Sequence, residues 1–147
     1  MANQQQLELI KSGTAAWNQW RQEHQEEKID LSNVDLHQAD LSGADLSSVN
    51  LRGAHLHRAN LRDANLRKAD LMGADLHMAD LRSADLSQAD LHWADMRATQ
   101  LVGAQIASAD LDGADMRGAY LAEKILKEAD LSATKLDGTE HIEVTEK

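Results

Sequence analysis

Two residue types in this sequence offer chemistry, and both follow a five-residue rhythm. Aspartate recurs at multiples of five through most of the chain. His37, His57 and His77 are each twenty residues apart, and His55 stands two residues before His57. Imidazole and carboxylate groups are ligands for zinc, nickel or copper, while a run of carboxylates presents negative charge to a basic partner. The sequence therefore offers metal ligation and charge-based binding as candidate chemistries.

The sequence offers little support for a catalytic site, a thiolate metal site or a phosphate-binding site. The chain has no cysteine, which removes disulfides, thiolate metal sites and cysteine catalysis. Serine, histidine and aspartate all occur, but no insertion interrupts the main run to form the cleft in which a nucleophile meets its base. The glycines follow the five-residue rhythm and form no phosphate-binding loop. The sequence predicts no enzyme activity and no cofactor, and it assigns no metal, with His37, His55, His57 and His77 as the candidate ligands if one were bound.

Charge and hydropathy narrow the class of partner. The 147 residues carry a net charge of −10, which argues against direct binding to a nucleic-acid backbone because that needs clustered lysine and arginine. No stretch approaches the roughly 18 apolar residues of a membrane span, and the first residues do not resemble a signal peptide. We expect a cytoplasmic protein that binds neither membranes nor nucleic acid directly.

The five-residue repeat predicts the fold. Leucine recurs at every fifth position from Leu31 to Leu136, replaced only by Met96, Ile106 and Met116. Alanine usually stands two residues earlier, with aspartate or asparagine between them. Five residues advance an α-helix about 140° beyond a full turn, and an odd period alternates faces along a straight strand. The chain must therefore turn once per repeat, as the glycine, serine and aspartate residues allow, which predicts an all-β solenoid.

The run Ala39 to Leu46, with the sequence Ala-Asp-Leu-Ser-Gly-Ala-Asp-Leu, resembles the pentapeptide-repeat family. The resemblance implies a right-handed quadrilateral β-helix with four repeats per coil, and hence about five and a half coils over residues 29–138. The stretch Trp17-Asn18-Gln19-Trp20-Arg21 also resembles the lead-in of family members from photosynthetic bacteria.

The remaining segments are expected to finish the two ends of the solenoid. An exposed strand edge and an open leucine core need a cover, and residues 1–28 are predicted to form an N-terminal α-helical cap with Leu7, Ile10, Trp17 and Trp20 on one side. A local break is expected near residues 121–128, where Glu123 and Lys127 suit a short helix. The C-terminal tail, residues 139–147, is open to three interpretations: a further strand, a covering flap, or an edge through which a homodimer pairs.

Four repeats per coil would stack residues that are twenty positions apart. Leu51, Leu71 and Leu91 are then core residues, and negative charge gathers on one side of the coil, which we call the acidic face. Its members are Asp30, Asp70, Asp90, Asp110, Asp112 and Asp130. The carboxylates have two interpretations: each serves the turn of its own repeat, or together they mimic a polyanion. His37, His55, His57 and His77 fall on a neighbouring face.

The sequence thus predicts a non-enzymatic protein-interaction or scaffold module with an unknown protein partner. The alternative comes from the resemblance, since some pentapeptide-repeat proteins are DNA mimics that bind the topoisomerase gyrase, although those members look rich in phenylalanine and this chain has none. A surface histidine and aspartate metal-binding module is the third hypothesis. Trp93 and Tyr120 fall at outward positions, where they serve either packing or partner contact.

Overall fold

The protein is described by a computed structural model that covers residues 2–142. Its regular elements are α1 (Gln4–Lys11), α2 (Thr14–Glu23), β1 (Tyr120–Ala122), α3 (Glu123–Glu128) and β2 (Glu140–Ile142). Between α2 and β1 the chain runs as five-residue repeats. Within residues 2–142, every helix is too short and too polar to cross a bilayer.

The repeats wind into coils of twenty residues. Parallel β-bridges join residues twenty positions apart, beginning with Asp30 and Asn50, and β1 pairs with β2 in the same register, with Tyr120 opposite Glu140. Each coil therefore contains four repeats. Strand content is small, because the chain turns so soon after each bridge that most extended segments are one residue long. The sequence predicts an all-β solenoid, and the structure has its parallel bridges but little regular strand.

One repeat from the middle of the stack, residues 69–73, illustrates why the coil is stable. The backbone N–H of Ala69 donates across a turn to Leu66 at 3.0 Å, and those of Asp70, Leu71 and Gly73 donate to carbonyls of neighbouring coils at 3.0, 2.7 and 2.8 Å. The fifth N–H, of Met72, donates to the Asp70 carboxylate at 3.1 Å. All five backbone donors are satisfied, as burial of a peptide backbone demands.

The turns require an unusual backbone conformation at the second residue after each leucine. Glycine occupies this position in seven repeats, but twelve other residues adopt it with φ between 55° and 61°. The left-handed region costs a residue with a side chain about 1–2 kcal/mol. The hydrogen bonds to the next coil offset that cost. Residues with side chains, such as Arg58 and Met78, can therefore occupy a position whose backbone conformation glycine adopts without strain.

The core is a stack of leucines closed in by alanines. Leu51, Leu71 and Leu91 are fully buried, and the same holds for most leucines and alanines of the repeats. Burial of a leucine contributes roughly 1.5–3 kcal/mol before chain entropy is subtracted. Stacked leucines therefore supply most of the stabilisation.

The N-terminal segment, for which the sequence predicts an α-helical cap, contains two helices. The side chain of Asn3 caps α1 by accepting the N–H of Gln6 at 3.2 Å. Gly13 separates α1 from α2 with φ of 131°, a conformation that few residues with a side chain adopt. Ile10 and Trp17 join the core, while Leu7 and Trp20 are partly buried against it.

Side chains of these helices bind the backbone of the first coil. Gln6 accepts the N–H of Asp30 at 3.1 Å and donates to the Lys28 carbonyl at 3.4 Å. Asn18 likewise accepts the N–H of Asp45 at 2.8 Å and donates to the Gly43 carbonyl at 2.9 Å.

Trp17 and Arg21 complete this contact. The Trp17 indole N–H donates to the Asp45 carbonyl at 2.8 Å. Arg21, which is almost fully buried, donates to the carbonyls of Asp45 and Ser47 at 3.2 and 2.7 Å. The two helices thus contact the backbone of the first coil through four side chains.

The repeat pattern breaks at α3 and then resumes. Ile125 turns into the core, and ion pairs link Lys124 to Glu128 and Lys127 to Glu123 along the helix at 3.8 and 3.3 Å. The bridge between Asp115 and Lys135 restores the twenty-residue register. Of the predicted tail, residues 140–142 form β2 and residues 143–147 lie outside the described residues.

Replacing Leu71 by Ala should lower the free energy of unfolding by about 2–5 kcal/mol, because the coils above and below cannot collapse to fill the cavity. Denaturant titration with circular dichroism measures the change. Met78→Ala is the matched control, since Met78 is 45% exposed and its loss should change stability by less than about 0.5 kcal/mol. Equal effects from the two variants would contradict the stacked core.

Candidate protein-binding face

Most aspartates of the repeats have a structural task. One carboxylate oxygen accepts the backbone N–H two residues later: His77 donates to Asp75 at 3.0 Å, and Ser87 donates to Asp85 at 2.9 Å. Asn60 does the same through its amide oxygen, which accepts the N–H of Arg62 at 3.2 Å. Because asparagine makes this bond as well as aspartate, the turn requires a side-chain oxygen and does not depend on a charge being present.

These bonds also favour the ionised form of several carboxylates. The Arg97 guanidinium lowers the pKa of Asp95, with further help from the Arg97 N–H, and the Arg82 guanidinium does the same for Asp80. The Ser42 hydroxyl and N–H lower the pKa of Asp40. Each group thus stays charged at neutral pH, in keeping with hydrogen bonds that stabilise the carboxylate.

Arginines neutralise many carboxylates outside the acidic face. The closest guanidinium to carboxylate distances are 2.5 Å for Arg82 with Asp80, 2.6 Å for Arg97 with Asp95 and 2.7 Å for Arg117 with Asp115. Each arginine lies two residues after its partner, so the same turn that holds the backbone also positions the ion pair.

The acidic face has far less compensation. Its bridging column runs from Asp30 through Asn50, Asp70 and Asp90 to Asp110. Arg52 pairs with Asp70 at 3.2 Å, but no ion pair within residues 2–142 involves Asp90. Neighbouring strands lie about 4.8 Å apart, so carboxylates of the column are held close together.

Two further members of this face lie beside or beyond the column. Asp112 is exposed, and its own N–H donates to Asp110 at 3.0 Å; it forms no ion pair in the described part of the chain. Asp130 follows α3 and is also exposed. The Ser132 hydroxyl lowers the pKa of Asp130.

The histidines predicted as candidate metal ligands do not converge on one point. The rings of His37 and His57 stack with centroids 5.1 Å apart, yet each contacts a separate carboxylate: His37 lies 2.5 Å from Asp35, and His57 lies 3.8 Å from Asp75. His55 bridges Asp35 in the adjacent column. Within residues 2–142, no three ligand atoms drawn from His37, His55, His57 and His77 come within 4.8 Å of one another.

A different group does come together, and sequence reasoning did not single it out. Asp90, His92 and Asp110 each offer a ligand atom within 4.8 Å of the others, and His92 Nδ1 lies 3.5 Å from the Asp110 carboxylate. The sequence signal for this group is the pattern Asp90-x-His92 within one repeat, together with Asp110 twenty residues after Asp90. This group lies in the middle of the acidic face.

A cavity of about 410 Å³ lies where α1 and α2 meet the first coil. Its polar lining includes Lys11, Thr14, Asp40 and Ser42, but the Ser42 hydroxyl already donates to Asp40 at 2.6 Å within its own turn. Its lining residues do not belong to the acidic face.

Comparison with known proteins identifies the family of the repeats. The family model described as pentapeptide repeats (8 copies) matches residues 29–67, 50–88 and 84–122. No curated protein matches the chain.

Among solved structures, the pentapeptide repeat protein Rfr23 from the cyanobacterium Cyanothece 51142 is 25% identical with a TM-score of 0.53, over 85% of this chain and 93% of its own. HetL, a pentapeptide repeat protein involved in heterocyst differentiation regulation in Nostoc sp. strain PCC 7120, is 33% identical with a TM-score of 0.46, over 76% and 61% of the two chains. The pentapeptide repeat protein alr5209 from Nostoc PCC 7120 is 29% identical with a TM-score of 0.42, over 92% and 94%. The similarity to Rfr23 confirms the resemblance to family members from photosynthetic bacteria.

Acid should remove part of the stability that the Asp95 carboxylate contributes. Its pKa is lower in the folded protein than in the unfolded chain, so its stabilisation is complete above the unfolded value of about 3.9 and is lost as pH falls through the folded value. Asp95→Asn keeps the turn bond but removes the titrating group, so its Tm should fall less steeply than wild type below about pH 4. Arg97→Gln, which removes the main cause, should flatten the profile similarly; an unchanged slope in both variants would contradict this assignment.

Proposed function

Because the chain belongs to the pentapeptide-repeat family, we propose that it is a non-enzymatic protein-interaction module that binds its partner through the acidic face. Repeat solenoids present long regular surfaces to other proteins. A basic protein surface is the complement that this face would recognise. The partner's identity and the cytoplasmic location stay predictions.

The observation that carries the proposal is the uneven compensation of charge. Arg82, Arg97 and Arg117 each neutralise a carboxylate of their own turn, whereas Asp90 and Asp112 lack an ion pair within residues 2–142. Uncompensated charge on one side of a protein raises the rate at which an oppositely charged partner associates and orients it during encounter.

The same family membership supports the finer architecture. We propose a right-handed quadrilateral β-helix of about five and a half coils, with α1 and α2 as its N-terminal cap. The burial of Ile10 and Trp17 and the backbone contacts of Gln6 and Asn18 support the cap. Pairing of two chains through the opposite end of the solenoid is the corresponding proposal for a homodimer.

A second candidate is a DNA mimic that binds a DNA topoisomerase such as gyrase. The column Asp70, Asp90 and Asp110 favours it, because three carboxylates one coil apart form a short polyanion. Asn50 interrupts the column toward the N-terminus, and the task of these aspartates in their own turns explains their recurrence without mimicry. For those reasons a protein partner of more general basic character is preferred.

Neutralising the acidic face should abolish partner capture. In the variant Asp90→Asn, Asp110→Asn and Asp112→Asn, the first two asparagines keep the oxygen that accepts a backbone N–H, and residue 112 is exposed, so the Tm should be unchanged. Affinity capture from an extract of the source organism, followed by mass spectrometry, should recover a basic protein with wild type and lose it with this variant.

The matched control removes the same charge from the opposite side of the coil, with Asp40→Asn, Asp63→Asn and Asp80→Asn. It should retain the partner. Loss of capture by both triple variants, or by neither, would contradict a role for the acidic face. Inhibition of gyrase supercoiling by wild type and not by the acidic-face variant would replace the general proposal with the mimic.

Deleting residues 1–25 should expose the leucine core at the level of Leu31 and leave the backbone edge near Asp45 without the partners that Asn18 and Trp17 provide. Exposed strand edges and apolar patches promote association. Sedimentation velocity should therefore reveal aggregates or end-to-end dimers. A truncated chain that stays monomeric and melts at the wild-type temperature would contradict the cap.

A further inference from the structure

Trp93 is the most exposed large hydrophobic side chain among the described residues, with 66% of its surface accessible. It stands at a turn position of the acidic face, one residue after His92, whose ring meets the indole edge-on with centroids 4.5 Å apart. Tryptophan gains most by burial, since it carries the largest apolar surface of any side chain. An exposed tryptophan on a regular scaffold is therefore a sign of a binding residue.

The neighbouring turns leave room for this side chain. A Cβ atom at Gly113 would lie 2.3 Å from Cδ1 and 2.7 Å from Nε1 of Trp93, so the indole lies against the bare backbone there. The positive φ of 71° does not by itself require glycine at this position, because Ala98 adopts 55° in an equivalent turn. On the other side, the position of a Cβ at Gly73 faces open space. Trp93 is thus a projecting aromatic side chain with an open surface beside it.

Two carboxylate side chains stand on the turns next to this aromatic side chain. Asp90 lies three residues before Trp93 in the same coil, and Asp112 is its neighbour in the next coil, where the Asp112 backbone carbonyl accepts the Trp93 backbone N–H at 3.1 Å. Neither carboxylate has an ion pair within residues 2–142. A cationic side chain placed over the indole would gain a cation–π contact and a carboxylate partner together.

We infer that Trp93, with Asp90 and Asp112, forms the binding site for an arginine-bearing segment of a partner protein. Arginine suits this site better than lysine because its flat guanidinium stacks on an aromatic ring while its N–H groups reach carboxylates. The inference rests on the proposed function and adds the residue that anchors the partner. Charge disfavours the other occupants, since a second copy would bring two acidic faces together and nucleic acid is itself an anion.

The test uses a hexa-arginine peptide at low salt with the full-length, ¹⁵N-labelled protein. The chain has three tryptophans, and the indole N–H signal of Trp93 is the one that Trp93→Phe removes. Addition of peptide should shift the Trp93 signal and leave that of Trp17, which donates to the Asp45 carbonyl. A hexa-glutamine peptide should shift neither signal.

Affinity by calorimetry then separates the aromatic contact from bulk charge. Trp93→Ala should weaken peptide binding about 2- to 5-fold, as an exposed cation–π contact predicts. Gly113→Ala should weaken binding similarly, because its methyl group displaces the indole without changing any charge. Met78→Ala removes an exposed side chain from another turn and should have no effect.

Charge variants complete the test. Asp90→Asn with Asp112→Asn should reduce affinity more than Asp40→Asn with Asp80→Asn, although both pairs change the net charge equally. Equal losses from the two pairs, an unmoved Trp93 signal, or wild-type affinity in Trp93→Ala would each overturn the inference. A natural partner that still binds Trp93→Ala but not the acidic-face variant would leave the proposed function standing while this inference fails.

Discussion

The structure depends on a single constraint: a chain that turns every five residues must still satisfy all of its backbone N–H donors. In residues 69–73, three donors reach neighbouring coils and one closes the turn. The fifth donates to the side-chain oxygen of Asp70. Aspartate or asparagine before the leucine therefore belongs to the backbone hydrogen-bonding scheme as much as to the surface.

The same constraint governs the beginning of the solenoid. The first coil has no coil before it, so its outward N–H and carbonyl groups need partners from elsewhere. The side-chain amides of Gln6 and Asn18 each offer one donor and one acceptor, like a peptide group, and each binds the coil with both. Trp17 fills the apolar centre and also binds a carbonyl. The two helices thereby supply hydrogen-bond partners and an apolar side chain at the edge of the first coil.

Much of the fold can be predicted from the five-residue period of the sequence. The contacts that could not be predicted involve residues outside that period or side chains that vary from repeat to repeat. The spacing of leucine and alanine predicts the inward core at Leu51, Leu71 and Leu91. The break in the repeat is indicated by Lys124 and Ile125, which stand where alanine and aspartate usually occur. Asn18 and Arg21 could not be assigned their tasks, because their contacts with residues 24–28 positions away have no counterpart elsewhere in the sequence. The contact between the Trp93 indole and Gly113 could not be predicted, because the turn of the repeat by itself accounts for a glycine at position 113.

The turn bond has an evolutionary consequence for the surface. Since the turn requires a side-chain oxygen, as Asn60 and Asp80 show in the same column, aspartate and asparagine can replace one another at little cost to stability wherever no ion pair depends on the charge. The electrostatic pattern of a face can therefore diverge between lineages by neutral steps, while the coil geometry stays constant. A scaffold of this kind can exchange one partner for another without passing through an unstable ancestor.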